Sequence, residues 1–123
     1  SKVYLDEATG LPNKNKCEEL LNAPKPVPAD AFAAVCVFDL NNLRIINNTM
    51  GHEMGDAYIR SFADQLYQAI PDDQFAGRDG GDEFIAIIKD TESSAFHAFL
   101  FKLKQLCADY SRLHPDMPIS YAA

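Results

Sequence analysis

Two stretches of helical periodicity, residues 53–70 and 94–110, are separated by only two short strand-like runs, and this arrangement limits the fold more than any other feature. In the first stretch Tyr58, Ile59, Phe62, Ala63, Leu66 and Ile70 recur at three- and four-residue spacing. In the second, Phe96, Phe99, Leu100, Leu103, Cys107 and Tyr110 form one apolar stripe. The strand-like runs between them, residues 74–78 and 83–88, are joined by Asp79-Gly80-Gly81-Asp82. Paired glycines in that setting predict a hairpin, since both can take positive φ. A hairpin makes its strands antiparallel neighbours, so each long helix must connect the hairpin to a strand outside it.

Residues 31–38 supply a third strand-like run. They are apolar without polar alternation, which predicts a central strand covered on both faces and ending at Asp39. Residues 41–48 predict a short helix with Leu43, Ile46 and Ile45 facing inward, and Gly51 separates it from the long helix. Residues 119–122 are the last strand candidate. The order β-α-α-β-β-α-β is an α/β chain of the α+β kind with a ferredoxin-like plan, an antiparallel sheet of order 4-1-3-2 flanked by helices. Ahead of it come a turn-rich entry, residues 6–12, and a short helix capped by Asn13 with Cys17, Leu20 and Leu21 on one face. Residues 23–30, with three prolines, read as a loop.

At 123 residues and 47% hydrophobic, the chain suits one domain with one core. No apolar run approaches the ~20 residues of a membrane span, and direct membrane contact is not expected. The net charge of −7 argues against a nucleic-acid partner, which wants a basic face. It also means that an anionic ligand needs a divalent cation, backbone amides or local cations. Cys17, Cys36 and Cys107 contain no CxxC pair and read as small buried hydrophobes in a reducing, cytoplasmic setting. The first residue is Ser, so the chain reads as a piece of a longer protein.

In the 4-1-3-2 order, the third strand starts beside the end of the first, which brings Asp39, Asp82 and Glu83 to one sheet edge. Such carboxylates repel unless one is protonated or a hard cation such as Mg²⁺ sits among them. The Gly80-Gly81 turn lets a ligand approach the backbone closely. The competing reading leaves Asp79, Asp82 and Glu83 as decoration of a solvated hairpin. Arg44, Asn47 and Asp56 are placed to face one pocket. There a carboxylate at Asp56 can accept hydrogen bonds from guanine N1–H and the 2-amino group, a donor pair adenine lacks. Alternatively Asp56 is an acid favoured near a helix N-terminus. His52-Glu53 is not a zinc helix, because Asp56 stands where HExxH needs its second His.

On these residues the chain resembles the GGDEF domain of diguanylate cyclases. The similarity runs through Asp6-x-x-Thr9-Gly10-Leu11-Pro12-Asn13, the segment from Asp39 to Asp56, Arg78-Asp79-Gly80-Gly81-Asp82-Glu83-Phe84 and Ile119-Ser120. It implies a nucleotide-cyclase, palm-like fold over residues 1–123 as a single domain lacking its final helix and strand. It further implies Mg²⁺, with Mn²⁺ as a substitute, on Asp39, the Leu40 carbonyl and Asp82. Asp82 and Glu83 would be the catalytic acids, with Arg44 near the phosphates in place of a family lysine. Asn47 and Asp56 would read guanine, with His52, Gly80 and Gly81 beside the nucleotide. The implied reaction condenses two GTP into cyclic di-GMP with loss of pyrophosphate, between two domains of a homodimer driven by an upstream sensor domain. Activity is expected of the parent protein rather than of the isolated piece. The alternative is a non-catalytic module that binds GTP or mediates dimerisation. The departures are Asn41 for a second Asp, Asn42-Leu43 for an aromatic pair, and Asp79 at a usually apolar or aromatic position. Pro71 and Gln74 stand where the family's product-inhibition site has Arg-x-x-Asp, so no feedback through that site is expected.

Overall fold

Antiparallel pairing of two long strands organises the molecule. In the computed structural model, which describes residues 2–23 and 31–123, β1 (Phe32–Leu40) runs against β3 (Glu83–Thr91) with Val35 opposite Ile87, Phe38 opposite Phe84 and Asp39 opposite Glu83. The short β2 (Phe75–Arg78) flanks β3 and β4 (Tyr121–Ala122) flanks β1, both antiparallel, giving the order β2-β3-β1-β4. This is the expected order read from the opposite edge. The proline-rich loop expected at 23–30 lies, from residue 24, outside the described residues.

A 3-10 turn (Lys2–Tyr4) and four α-helices complete the chain's described elements: α1 (Lys14–Asn22), α2 (Leu43–Met50), α3 (His52–Ala69) and α4 (Ser93–Leu113). Asn13 caps α1 as expected, its side chain accepting from the Lys16 amide at 3.2 Å. The stripes of α3 and α4 pack on one face of the sheet. There Phe38 and Leu40 of β1 and Phe84, Ala86 and Ile88 of β3 meet Tyr58, Phe62, Leu66, Phe99 and Leu103. Phe62 is the hub of this layer, with its ring centroid 5.0 Å from Phe84, 5.1 Å from Tyr121 and 6.0 Å from Phe38.

The opposite face differs from expectation. α1 covers it only over β2 and part of β3, where Cys17 and Ile85 are buried. At Gly77 a Cβ would lie 2.6 Å from Cys17 Sγ and 3.0 Å from the Pro12 carbonyl, so this close approach requires glycine. Beyond α1 no described element covers the face, and β1 is not covered on both sides: Val35 is 55% and Val37 43% exposed. An unbroken apolar run reports β-propensity on both faces but does not say that both are covered. Ile45 is likewise exposed rather than inward, because only Leu43 and Ile46 of α2 reach the core, and Leu21 of α1 is exposed too. No helix is long and apolar enough to cross a membrane among the described residues.

Truncating the hub should be severe. Phe62→Ala leaves a cavity among three aromatic rings, and a loss of about 3–5 kcal/mol is expected in urea unfolding. A comparable truncation at exposed Phe101 should cost little.

Candidate active site

The β1–β3 register carries Asp39 and Glu83 to the same end of the sheet as direct cross-strand partners. Both point to the face that the long helices do not cover, since their neighbours Phe38 and Phe84 are fully buried in the helical layer. The next residue stitches the corner closed, with the Leu40 amide donating to the Asp82 carbonyl at 2.8 Å. Asp39 and Asp82 are exposed and Glu83 is half-buried. Among the described residues no three His, Cys, Asp or Glu side chains close into a cage that could hold a metal. Two carboxylates and a carbonyl, with the remaining positions left to water and phosphate, are what Mg²⁺ accepts; a closed carboxylate cage is not needed.

The hairpin turn is held from below by Arg78. Its Nε donates to the Gly80 carbonyl at 3.0 Å, Nη2 to the Gly81 carbonyl at 2.8 Å, and Nη1 to both oxygens of Asp6 at 3.2 Å. Asp6 in turn accepts from the Thr9 amide and hydroxyl at 3.0 and 2.6 Å. Neither glycine of the pair takes positive φ, contrary to the sequence expectation. With both carbonyls drawn to the guanidinium, the loop closes through Asp79 and Gly80 amides on the Glu83 carbonyl, at 2.8 and 3.2 Å. What the glycines provide is room, since a Cβ on Gly81 would meet nothing within 4 Å and one on Gly80 only Glu83 Cβ at 3.6 Å. A cleft of about 430 Å³, lined by Asp6, Asn13, Lys14, Asn15, Arg78, Gly80 and Gly81, opens beside this turn.

The second cluster sits where α2 meets α3. Gly51, at φ 91°, ends one helix and begins the other, a conformation that favours glycine. The corner seats Asn47 against Gly55, so closely that a Cβ there would lie 1.7 Å from Asn47 Oδ1. Asp56 follows Gly55 and is exposed, as are Arg44 and His52. The side chains of Arg44, Asn47, His52 and Asp56 make no hydrogen bond or ion pair among the described residues. By contrast, Gln74 spends its whole carboxamide on the Lys89 backbone, at 2.8 and 2.9 Å. Asn41 gives its amide to Ser120 Oγ at 3.0 Å.

Three contributors escaped the sequence: Arg78 and Asp6 as the brace of the turn, and Tyr58, which looked like core alone. A basic residue just before paired glycines was the available signal for the first. Nothing marked the hydroxyl of Tyr58.

Comparison with known proteins places this architecture. The family described as "Diguanylate cyclase, GGDEF domain" matches residues 3–120. Cyclic di-GMP phosphodiesterase PdeR of Escherichia coli is 31% identical over 98 residues, 80% of this chain and 15% of that protein. Diguanylate cyclase DgcP of Escherichia coli is 27% identical over 107 residues, 85% of this chain and 31% of that protein. The GGDEF domain of DgcB from Caulobacter crescentus, solved in complex with c-di-GMP, superposes with a TM-score of 0.75 at 24% identity, covering 89% of this chain and 63% of that one. The chain belongs to the GGDEF domain family and has its palm-like nucleotide-cyclase fold. It spans less than a third of either Escherichia coli relative.

Asp79 has a buried side-chain oxygen, Oδ1, that makes no hydrogen bond among the described residues. Glu83 is held above the usual carboxylate range, first by the hydrogen bond it shares with Asp79, then by partial burial and by the charges of Asp79, Asp39 and Asp82. The proton on Glu83 is bound more tightly by the fold than by the unfolded chain. It therefore favours folding at low pH, and that contribution is lost as the pH rises through the raised value. Asp79→Leu removes both the orphaned oxygen and the repulsion. It should stabilise the domain by about 1–2 kcal/mol at pH 8 and by less at pH 4.5, read from urea melts at both.

Proposed function

We propose that this domain is a diguanylate cyclase domain, joining two GTP molecules into cyclic di-GMP with release of pyrophosphate, and that it works as a dimer. The observation that carries this reading is the register placing Asp39 opposite Glu83 beside the open Gly80-Gly81 turn. Family membership and the naming of Escherichia coli DgcP as a diguanylate cyclase support it.

In this reading Mg²⁺ or Mn²⁺ would be held by Asp39, Asp82 and the Leu40 carbonyl, and would supply the charge that neutralises a triphosphate bound to an otherwise acidic protein. The chain's own residues do the rest. Glu83, with its affinity for protons raised, is suited to accept the proton of an attacking 3′-hydroxyl. As that oxygen bonds to the α-phosphorus of the other nucleotide, the bond to pyrophosphate breaks in line. Arg44 is uncommitted and exposed, free to turn its fork toward the phosphates. Asn47 and Asp56 offer guanine unspent acceptors and donors across one helix corner, and an adenine there would leave Asp56 unpaired. With Gln74 occupied by the Lys89 backbone, product feedback at that position is not part of the reading.

A regulatory module that binds GTP without turnover is the second reading. Asp79, an extra acidic side chain beside the site with one oxygen buried and unbonded, favours it. Incubation of the parent protein with GTP and Mg²⁺, followed by chromatography, separates the two: cyclic di-GMP supports the cyclase, and bound GTP without product supports the module. Asp56→Ala should erase the preference for GTP over ATP. Gly55→Ala should fold at least as well, Ala being the better helix former. The new methyl displaces Asn47, so GTP should bind about tenfold more weakly, the equivalent of one lost hydrogen-bonded contact, by calorimetry.

A further inference from the structure

We infer that the Tyr58 hydroxyl is a positioning group for the proposed cation site, clamping the turn after β1 to Ser120, the residue that leads into the last strand, so that Asp39 and the Leu40 carbonyl are presented in a fixed orientation. This rests on the cyclase reading. Tyr58 is fully buried in α3, and its ring belongs to the helical layer. Its hydroxyl leaves that layer and meets backbone at the mouth of the site. It lies 2.8 Å from the Asn41 carbonyl and 3.0 Å from the Ser120 carbonyl, and accepts from the Ser120 amide at 3.1 Å. One hydroxyl proton serves two carbonyls, the shorter contact being to Asn41. Burial raises the phenol above its ordinary range, which keeps that proton in place at neutral pH.

Two further bonds complete the clamp. The Asn41 amide donates to the Ser120 carbonyl at 2.9 Å, and Asn41 Nδ2 to Ser120 Oγ at 3.0 Å. In the second bond Asn41 is the donor, whereas an Asp at this position would have to accept from the Ser120 hydroxyl instead. Asn41 follows the proposed ligands Asp39 and Leu40 directly, and Asn42 behind it is held left-handed at φ 72°. A turn with one residue in a sparsely populated conformation persists only where its surroundings fix it. Here the fixing comes from Tyr58, on a helix 17 residues away in sequence, and from Ser120, 79 residues away and just ahead of β4.

Tyr58→Phe keeps the ring and removes only the clamp. The full chain is saturated with a GTP analogue whose α,β-bridge is methylene, and Mn²⁺ affinity is measured by proton relaxation. Tyr58→Phe should weaken Mn²⁺ about tenfold, as loss of a group supporting metal ligands does. It should also speed amide exchange at Asn41 and Asn42 while leaving the preference for guanine over adenine nucleotide intact. Asn41→Ala, at an exposed side chain, should weaken Mn²⁺ in the same direction by a smaller factor. Tyr121→Phe, whose hydroxyl has no hydrogen bond among the described residues, should change nothing. Unchanged Mn²⁺ affinity in Tyr58→Phe overturns the inference, as does an equal loss in Tyr121→Phe. If Tyr58→Phe does not fold, unchanged affinity in Asn41→Ala overturns it. A parent chain that binds the nucleotide but gains no Mn²⁺, or binds neither, overturns the cyclase reading itself.

Discussion

The pairing of β1 with β3 is the constraint from which the site follows. Side chains alternate along both strands, so Phe38 and Phe84 enter the helical layer while Asp39 and Glu83 emerge on the other face. A slip of one residue would bury the acids among aromatic rings and expose the rings to water. The aromatic cluster around Phe62 is therefore also what keeps the acidic corner in register. In this molecule core packing and site geometry are one problem.

The hairpin needs a different kind of support, because its loop has little side chain of its own. Arg78 provides it by filling the underside of the turn and tying both glycine carbonyls to the Asp6 carboxylate. The Arg78–Asp6 pair is only partly exposed, at 16% and 20% of the side chains, which lets it contribute more than a surface ion pair usually does. The entry segment is thereby joined to the turn 72 residues later.

Most of the architecture was legible in the sequence, because the signals that mattered were periodic. The stripes of α3 and α4, the Asn13 cap and the Gly-Gly hairpin each leave a local pattern, and together they allow few topologies. What sequence could not give was coverage and partnership. Val35 and Val37 have the same chemistry whether a helix lies over them or not. The φ values of Gly80 and Gly81 depend on a guanidinium whose role only the folded chain reveals. Asn41 read only as a replacement for a second Asp, whereas its amide is a structural donor to Ser120. The candidate acids were legible through topology; the bonds that aim them were not.

The α2–α3 corner has a consequence of its own. Asn47, Gly51, Gly55 and Asp56 are arranged by contacts made within ten consecutive positions, as when the Gly51 amide bonds the Asn47 carbonyl and the Gly55 amide bonds the Gly51 carbonyl, both at 3.1 Å. The acids, in contrast, are assembled from segments more than forty positions apart. Two devices with such different ranges are separable in evolution. Drift at the sheet end can silence chemistry in a descendant chain and leave the helix corner whole, so that an ancestral catalyst persists as a sensor of the molecule it once consumed.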